Sequence, residues 1–225
     1  MSLPLCNLCG WPLLRLPEPA KGRCLRCLST NIHRGAGSIV ARLQLPFDSR
    51  VYELSSKGAL VRYLRKRFRE VYVSEFFDAV QPGEFRKGVQ CQDVQALLLP
   101  DASFDLVTST EVFEHVPDDR RGFREIARVL RSGGWFVFTV PLLSSEETVE
   151  RARVEADGSL TFLTHPEYHF DRLRGKGKVL AFRTYGRDIL QRLAAAGFEA
   201  SIEAVNDPAI AVAGQQVIIA RKGGS

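Results

Sequence analysis

Between Cys91 and Val140 the chain reads CQDVQALLLPDASFDLVTSTEVFEHVPDDRRGFREIARVLRSGGWFVFTV, and no other stretch narrows the fold as much. FDLVTST, from Phe104, is a short apolar run with turn residues before it, the pattern of a buried strand. Phe123, Ile126, Ala127, Val129 and Leu130 recur at helical spacing in an otherwise charged segment, which makes an amphipathic helix. Gly133 and Gly134 supply a turn, and WFVFTV reads as a second strand. Strand, helix, turn and strand form a βαβ unit with a parallel pair, so the chain is of the α/β class.

The alternation extends in both directions. Val51 to Leu54 reads as a first strand, Lys57 to Phe68 as a helix, Val71 to Phe76 as a second strand and Val89 to Gln92 as a short third. Arg187 to Ala196 is a helix ended by Gly197 in a left-handed cap. Phe198 to Val205 and Gln216 to Ala220 complete seven strands. The stretch from Pro141 to Val179 is polar and Gly-bearing, with a weak strand at Leu160 to Leu163. An insertion of that length between core elements is expected to be a functional lid. A chain of 225 residues has room for one such core and a small appendage.

The appendage is announced by cysteine. Four of five fall as Cys6-x-x-Cys9 and Cys24-x-x-Cys27, two knuckles that together offer the four thiolates of a structural zinc. Gly10 and Gly22, with Pro12, Pro17 and Pro19, suit a ribbon of turns. Two disulfides or a redox pair are the other readings. The former conflicts with a reducing compartment, and the latter with two such pairs in so short a segment. Cys91 is left over as a buried small apolar residue. The ribbon is expected to span 1–34, with a hinge at Gly35, Gly37 and Ser38 and a short helix from Ile39 to Leu45. The main domain then covers 35–225, with the lid at about 141–179. No signal-like N-terminus and no run near the roughly 18 apolar residues of a membrane span occur, so a cytoplasmic protein without a membrane partner is the expectation.

The βαβ residues resemble the Asp-x-x-x-Leu-Pro, Phe-Asp, Glu-His-Val and Arg-Val-Leu-x-x-Gly-Gly series of class I S-adenosylmethionine (SAM)-dependent methyltransferases, of the type 11-like kind. With its Cys-rich start, the whole chain is similar to a group of bacterial methyltransferase-like proteins in which a zinc-ribbon-like segment precedes that domain. The resemblance implies a Rossmann-like seven-stranded sheet, mostly parallel with an antiparallel last strand, and SAM as cofactor. Glu53 occupies the acid position at the end of the first strand. Ser55, Lys57 and Ala59 replace the three glycines that ordinarily follow, and only Gly58 remains nearby. Ser55 and Ser56 can cap the next helix and turn its amide end toward a carboxylate. Lys57 either adds a charged contact or obstructs the pocket. Glu75, 22 residues after Glu53, matches the acid that accepts a ribose diol, with Asp78 as competitor. Asp93 and Val94 match the adenine contacts, and Glu111 follows the fourth strand near the cofactor.

Candidate bases for the methyl acceptor are His115, His165 and His169, with Glu111 and Glu114 as nearby acids. His115 is a base or a packing residue, the two readings being equal. His165 and His169 flank Tyr168 in the lid, where surface histidines without function are the alternative. A small-molecule acceptor methylated on O, N or C is the leading expectation. The alternative is an RNA methyltransferase gripping its substrate with the ribbon and the basic helix of Arg62, Arg65, Lys66, Arg67 and Arg69, backed by Arg172, Arg174, Lys176 and Lys178. A third reading is a non-catalytic binding protein with an eroded SAM site.

Overall fold

The computed structural model describes residues 3–13, 22–170 and 177–224. Pro17 and Pro19 of the ribbon, and Arg172, Arg174 and Lys176 of the basic loop, lie outside the described residues. In chain order the elements are α1 (Asn31–Arg42), β1 (Arg50–Glu53), α2 (Ala59–Arg67), β2 (Glu70–Glu75), β3 (Phe85–Arg86), β4 (Val89–Cys91), β5 (Phe104–Thr110), α3 (Asp119–Val129) and β6 (Leu130–Thr139). They continue with β7 (Val149–Glu150), β8 (Ala152–Val154), β9 (Leu160–Phe162), β10 (Glu167–His169), β11 (Val179–Ala181), β12 (Arg183–Thr184), α4 (Ile189–Ala194), β13 (Phe198–Asp207) and β14 (Val212–Lys222).

The main sheet runs β13-β14-β6-β5-β1-β2-β4-β3. β1 pairs in parallel with β2 and β5, β5 with β6, and β2 with β4. β14 is antiparallel to both β6 and β13. This is the expected Rossmann-like α/β sheet with its antiparallel last strand, and eight strands rather than seven. The extra one is β3, folded onto β4 in an antiparallel hairpin through Lys87 and Gly88, both at positive φ. After β2 the chain adds β4 on one side of β1, then crosses to place β5 on the other. The reversal opens a crevice at the carboxyl end of β1.

The residues that begin this crevice wall are held by aromatic packing. α3, capped by the Asp118 side chain on the Arg121 amide, buries Phe123 and Ile126 completely. Phe113 stacks on Phe123 with centroids 4.6 Å apart, and Phe136 on Phe138 at 4.2 Å. Phe113 opens a 3-10 turn, Phe113–His115, so this core fixes the backbone carrying Glu114 and His115. The insertion is built from short ribbons, β7 with β12, β8 with β9 and β10 with β11. It is tied to the same turn by the Phe182 amide on the Glu114 carbonyl (2.7 Å) and by Arg183 on the carbonyls of Val116 and Pro117 (2.5 and 2.7 Å). Glu150 and Asp119 pair with Arg183 and Arg192 behind it.

The hinge expected at Gly35, Gly37 and Ser38 is instead the interior of α1, which also replaces the short helix from Ile39. Its glycines serve close approach. A Cβ on Gly37 would lie 2.3 Å from Leu8 of the Cys-rich segment, and one on Gly35 would lie 2.8 Å from Gln215 on β14. Between them in space the fully buried Arg34 donates to the carbonyls of Gly22 (2.8 Å), Ser29 (3.1 Å), Ile210 (2.8 Å) and Ala211 (3.0 Å). One guanidinium thereby binds the N-terminal segment to the β13–β14 turn. Arg34→Ala is expected to destabilise the protein by about 3 kcal/mol or more, since it leaves buried carbonyls without donors and a void. Urea denaturation measures it; a loss under about 1 kcal/mol would show that the segment docks without this contact.

Candidate functional site

The crevice at the carboxyl ends of β1, β2, β4 and β5 holds a cavity of about 360 Å³, within the range of small-molecule sites. Leu54 and Ser55 follow β1, Glu75 ends β2 with Phe76 after it, and Asp93 to Gln95 follow β4. Thr110 ends β5 and Glu111, Val112 and His115 to Pro117 follow it, while His169, Phe170 and Val179 close the cavity from the insertion.

The turn after β1 departs from the sequence expectation. α2 starts at Ala59 and its cap is Gly58, so Ser55 and Ser56 do not cap it. Ser56 instead gives its amide (2.8 Å) and its hydroxyl (3.0 Å) to Glu75 Oε1. A carboxylate on the neighbouring strand thus holds the turn that glycines would otherwise shape. Gly58 sits at φ +125°, where a side chain would meet nothing within 4 Å, so the backbone conformation and not packing requires glycine. Lys57 is exposed and does not obstruct the cavity. Glu53 and Gly58 lie behind the wall and not in it. Glu53 is buried beside Thr108, whose hydroxyl it accepts. Burial drives its carboxyl up to about 8, with the Thr108 and Ser55 hydrogen bonds offsetting only part.

Asp93 accepts the Gln95 amide (2.9 Å) and side-chain nitrogen (3.0 Å) at Oδ1, which orients it beside the apolar Val94. Glu111 lies at φ +53°, unusual for a side chain other than glycine, and its amide is held by the Thr139 carbonyl at 2.9 Å. Burial, with the Glu114 carboxylate next, raises its carboxyl to about 7.

The pairing of β10 with β11 brings His169 to His115, residues 54 apart in sequence. His115 Nδ1 lies 2.8 Å from the Leu180 carbonyl and so donates to it, leaving Nε2 to accept from His169 Nδ1 at 3.2 Å. His169 Nε2 meets Glu167 Oε1 at 3.2 Å. The carboxylates of Glu114 and then Glu167 raise His169 to about 9 against the opposing effect of burial. His165 is exposed, contacts the Pro166 carbonyl and stands outside the cavity. Glu114, fully buried behind both histidines, carries no spacing signal that would single it out.

The four cysteines converge beside the start of α2, where Ala59 packs against them. Cys6 Sγ and Cys27 Sγ are 3.6 Å apart, as are those of Cys9 and Cys24, and all four sulfurs lie within 4.8 Å of one another. A disulfide needs about 2.05 Å, whereas sulfurs bound at about 2.3 Å to one tetrahedral ion stand about 3.8 Å apart. The two knuckles are alike: Gly10 gives its amide to the Cys6 carbonyl and Leu28 gives its amide to the Cys24 carbonyl, both at positive φ.

Among known families, the one described as a methyltransferase domain matches residues 34–138. The chain is 30% identical over 148 residues to a fatty-acid O-methyltransferase of Mycolicibacterium smegmatis, covering 66% of this chain and 48% of that protein. It is 52% identical over 46 residues to a sarcosine/dimethylglycine N-methyltransferase of Halorhodospira halochloris, 20% of this chain and 16% of the other. The chain therefore spans less than half the length of these relatives. Its fold is similar to that of the glycopeptide N-methyltransferase MtfA in complex with sinefungin, with a TM-score of 0.56 at 16% identity over 93% of this chain and 100% of the other. The fold is the class I methyltransferase fold. No helix among the described residues is long and apolar enough to cross a membrane.

Proposed function

We propose that the chain is a SAM-dependent methyltransferase acting on a small acceptor with an apolar body and a nucleophilic oxygen, nitrogen or carbon. The observation that carries this reading is the pair Glu75 and Asp93, at the ends of adjacent parallel strands, both lining one cavity at the switch point of the sheet. Those residues fit the cofactor: Glu75 would accept from the ribose hydroxyls, Asp93 would accept from the adenine amine, and Val94 would pack on the ring. When bound, SAM supplies an electrophilic methyl group. The chain's own share is alignment and proton handling. Ser55 and Leu54 shape the methionine end, Glu53 sits behind them, and Gly58 allows the turn. Glu111, its carboxyl poised near neutrality, takes the acceptor's proton. His115 and His169 form the acceptor side of the cavity, and Phe170, 70% exposed, offers apolar surface beside them. The O- and N-methyltransferases of small molecules among the relatives support this acceptor class.

Cys6, Cys9, Cys24 and Cys27 hold a structural zinc in this reading. Arg34 supports it: a buried guanidinium surrounded by carbonyls calls for an anion, and a tetrathiolate zinc centre is formally dianionic. The fifth cysteine, Cys91, is a buried free thiol, which suits a reducing cytoplasm. An RNA substrate has less support, because Arg62 is turned onto the Cys27 carbonyl and Arg67 onto that of Leu45.

Calorimetry with S-adenosylhomocysteine tests the reading. The wild type is expected to bind, and Glu75→Gln, which keeps an acceptor for Ser56 but removes the charge, is expected to bind about 10–100-fold more weakly. Absence of heat with SAM and S-adenosylhomocysteine at millimolar concentration would leave the non-catalytic binding protein instead.

A further inference from the structure

A buried carboxylate with no hydrogen bond to either oxygen is costly unless something compensates it. Glu114 is such a group: it is 0% exposed, and neither Oε1 nor Oε2 meets a donor. Its Oε1 faces His169 Nδ1 at 3.6 Å and His115 Nε2 at 3.7 Å, and the two nitrogens are 3.2 Å apart. A triangle with those sides has its centre about 2.0 Å from each corner, the length of a zinc bond to imidazole or carboxylate.

The surroundings are those of metal ligands. The His115 Nδ1 hydrogen bond to the Leu180 carbonyl turns the lone pair of Nε2 toward the triangle. The His169 Nε2 proton points to Glu167, itself paired with Arg151 at 2.9 Å. An outer carboxylate or carbonyl on the far nitrogen of each histidine is how proteins orient imidazole toward a metal. Two imidazoles and one carboxylate disfavour magnesium and calcium and suit zinc, cobalt or ferrous iron.

We infer that Glu114, His115 and His169 form a mononuclear site for a divalent transition-metal ion, zinc foremost, separate from the four-cysteine cluster and open to the cavity. His115 and His169 line that cavity while Glu114 closes the site from behind. The open face of the ion takes an oxygen or nitrogen of the acceptor and polarises it. That role, unlike the site itself, rests on the methyltransferase reading.

The test uses the full chain without a polyhistidine tag, saturated with zinc, desalted and subjected to elemental analysis. The wild type is expected to hold a second zinc per chain beyond that of the cysteines, and the His115→Ala/His169→Ala variant to lack it. Cobalt added to protein already carrying zinc at the cysteines is expected to give weak visible ligand-field bands without thiolate charge transfer in the wild type alone. Zinc retained at the cysteines shows that the variant is folded. Glu167→Gln is expected to weaken the second ion about 10–100-fold without abolishing saturation. A wild type that stops at one zinc, or a double variant that still binds two, would overturn the site and leave Glu114 and His169 as a metal-free ion pair. Either result leaves binding of S-adenosylhomocysteine, measured separately, untouched.

Discussion

Cys24→Ser is expected to release the N-terminal segment from the rest of the protein and lower Tm by about 10 °C. On the zinc reading proposed above, a four-thiolate ion contributes apparent binding energy on the order of 10 kcal/mol to this segment. That segment's own core is Cys6, Leu8, Leu13, Cys24 and Cys27, with Ala59 of α2 beside it, far too little for independent stability. The body suffers as well. Without the ordered knuckles, Arg34 loses the Gly22 and Ser29 carbonyls, two of its acceptors, and Leu8 leaves the gap it fills over Gly37. A loss of about 3 kcal/mol there corresponds to roughly 6–12 °C in a domain of this size. Differential scanning fluorimetry reads the shift, and limited proteolysis locates the opening before residue 30. A strong chelator should reproduce both effects in the wild type. Unchanged melting in protein shown to be zinc-free would mean that the cysteines merely pack.

What sequence patterns reveal here follows from how local the determinants are. FDLVTST matches β5 residue for residue, and the amphipathic stretch matches α3 except for Leu130, which opens β6, because each pattern is written in consecutive residues. The two Cys-x-x-Cys pairs are also local, and the structure brings all four sulfurs together. The errors arise where a distant partner decides. Gly35 and Gly37 read as a hinge because their reason for being glycine, Gln215 and Leu8, lies elsewhere in the chain. Ser55 and Ser56 read as helix caps, but Glu75 on the next strand captures Ser56. Of the two lid histidines only His169 lines the cavity, since β10 pairs with β11 while His165 falls in the preceding turn. Glu114 was legible only as an acid near β5. Its complete burial between two histidines depends on Phe182 and Arg183 folding back over the turn.

Glu53 carries the second large effect, a stability that falls as pH rises through neutrality. Its carboxyl is raised from 4.5 to about 8 in the folded protein, mainly by burial. Between those values the unfolded chain has released this proton and the folded chain still holds it. Stability therefore declines with rising pH across that window and is level for this group outside it. At about 1.4 kcal/mol per pH unit, the full decline is roughly 5 kcal/mol. Glu53→Gln removes the titration while keeping an oxygen to accept the Thr108 hydroxyl. Glu111, raised to about 7, titrates in the same direction, so the informative quantity is the difference between wild type and variant. Urea denaturation at pH 5, 6, 7 and 8 is expected to show the variant gaining on the wild type at each step, by several kcal/mol in all. Parallel profiles would mean that the carboxyl is ionised at neutral pH within the fold, and that Thr108 and Ser55 outweigh its burial.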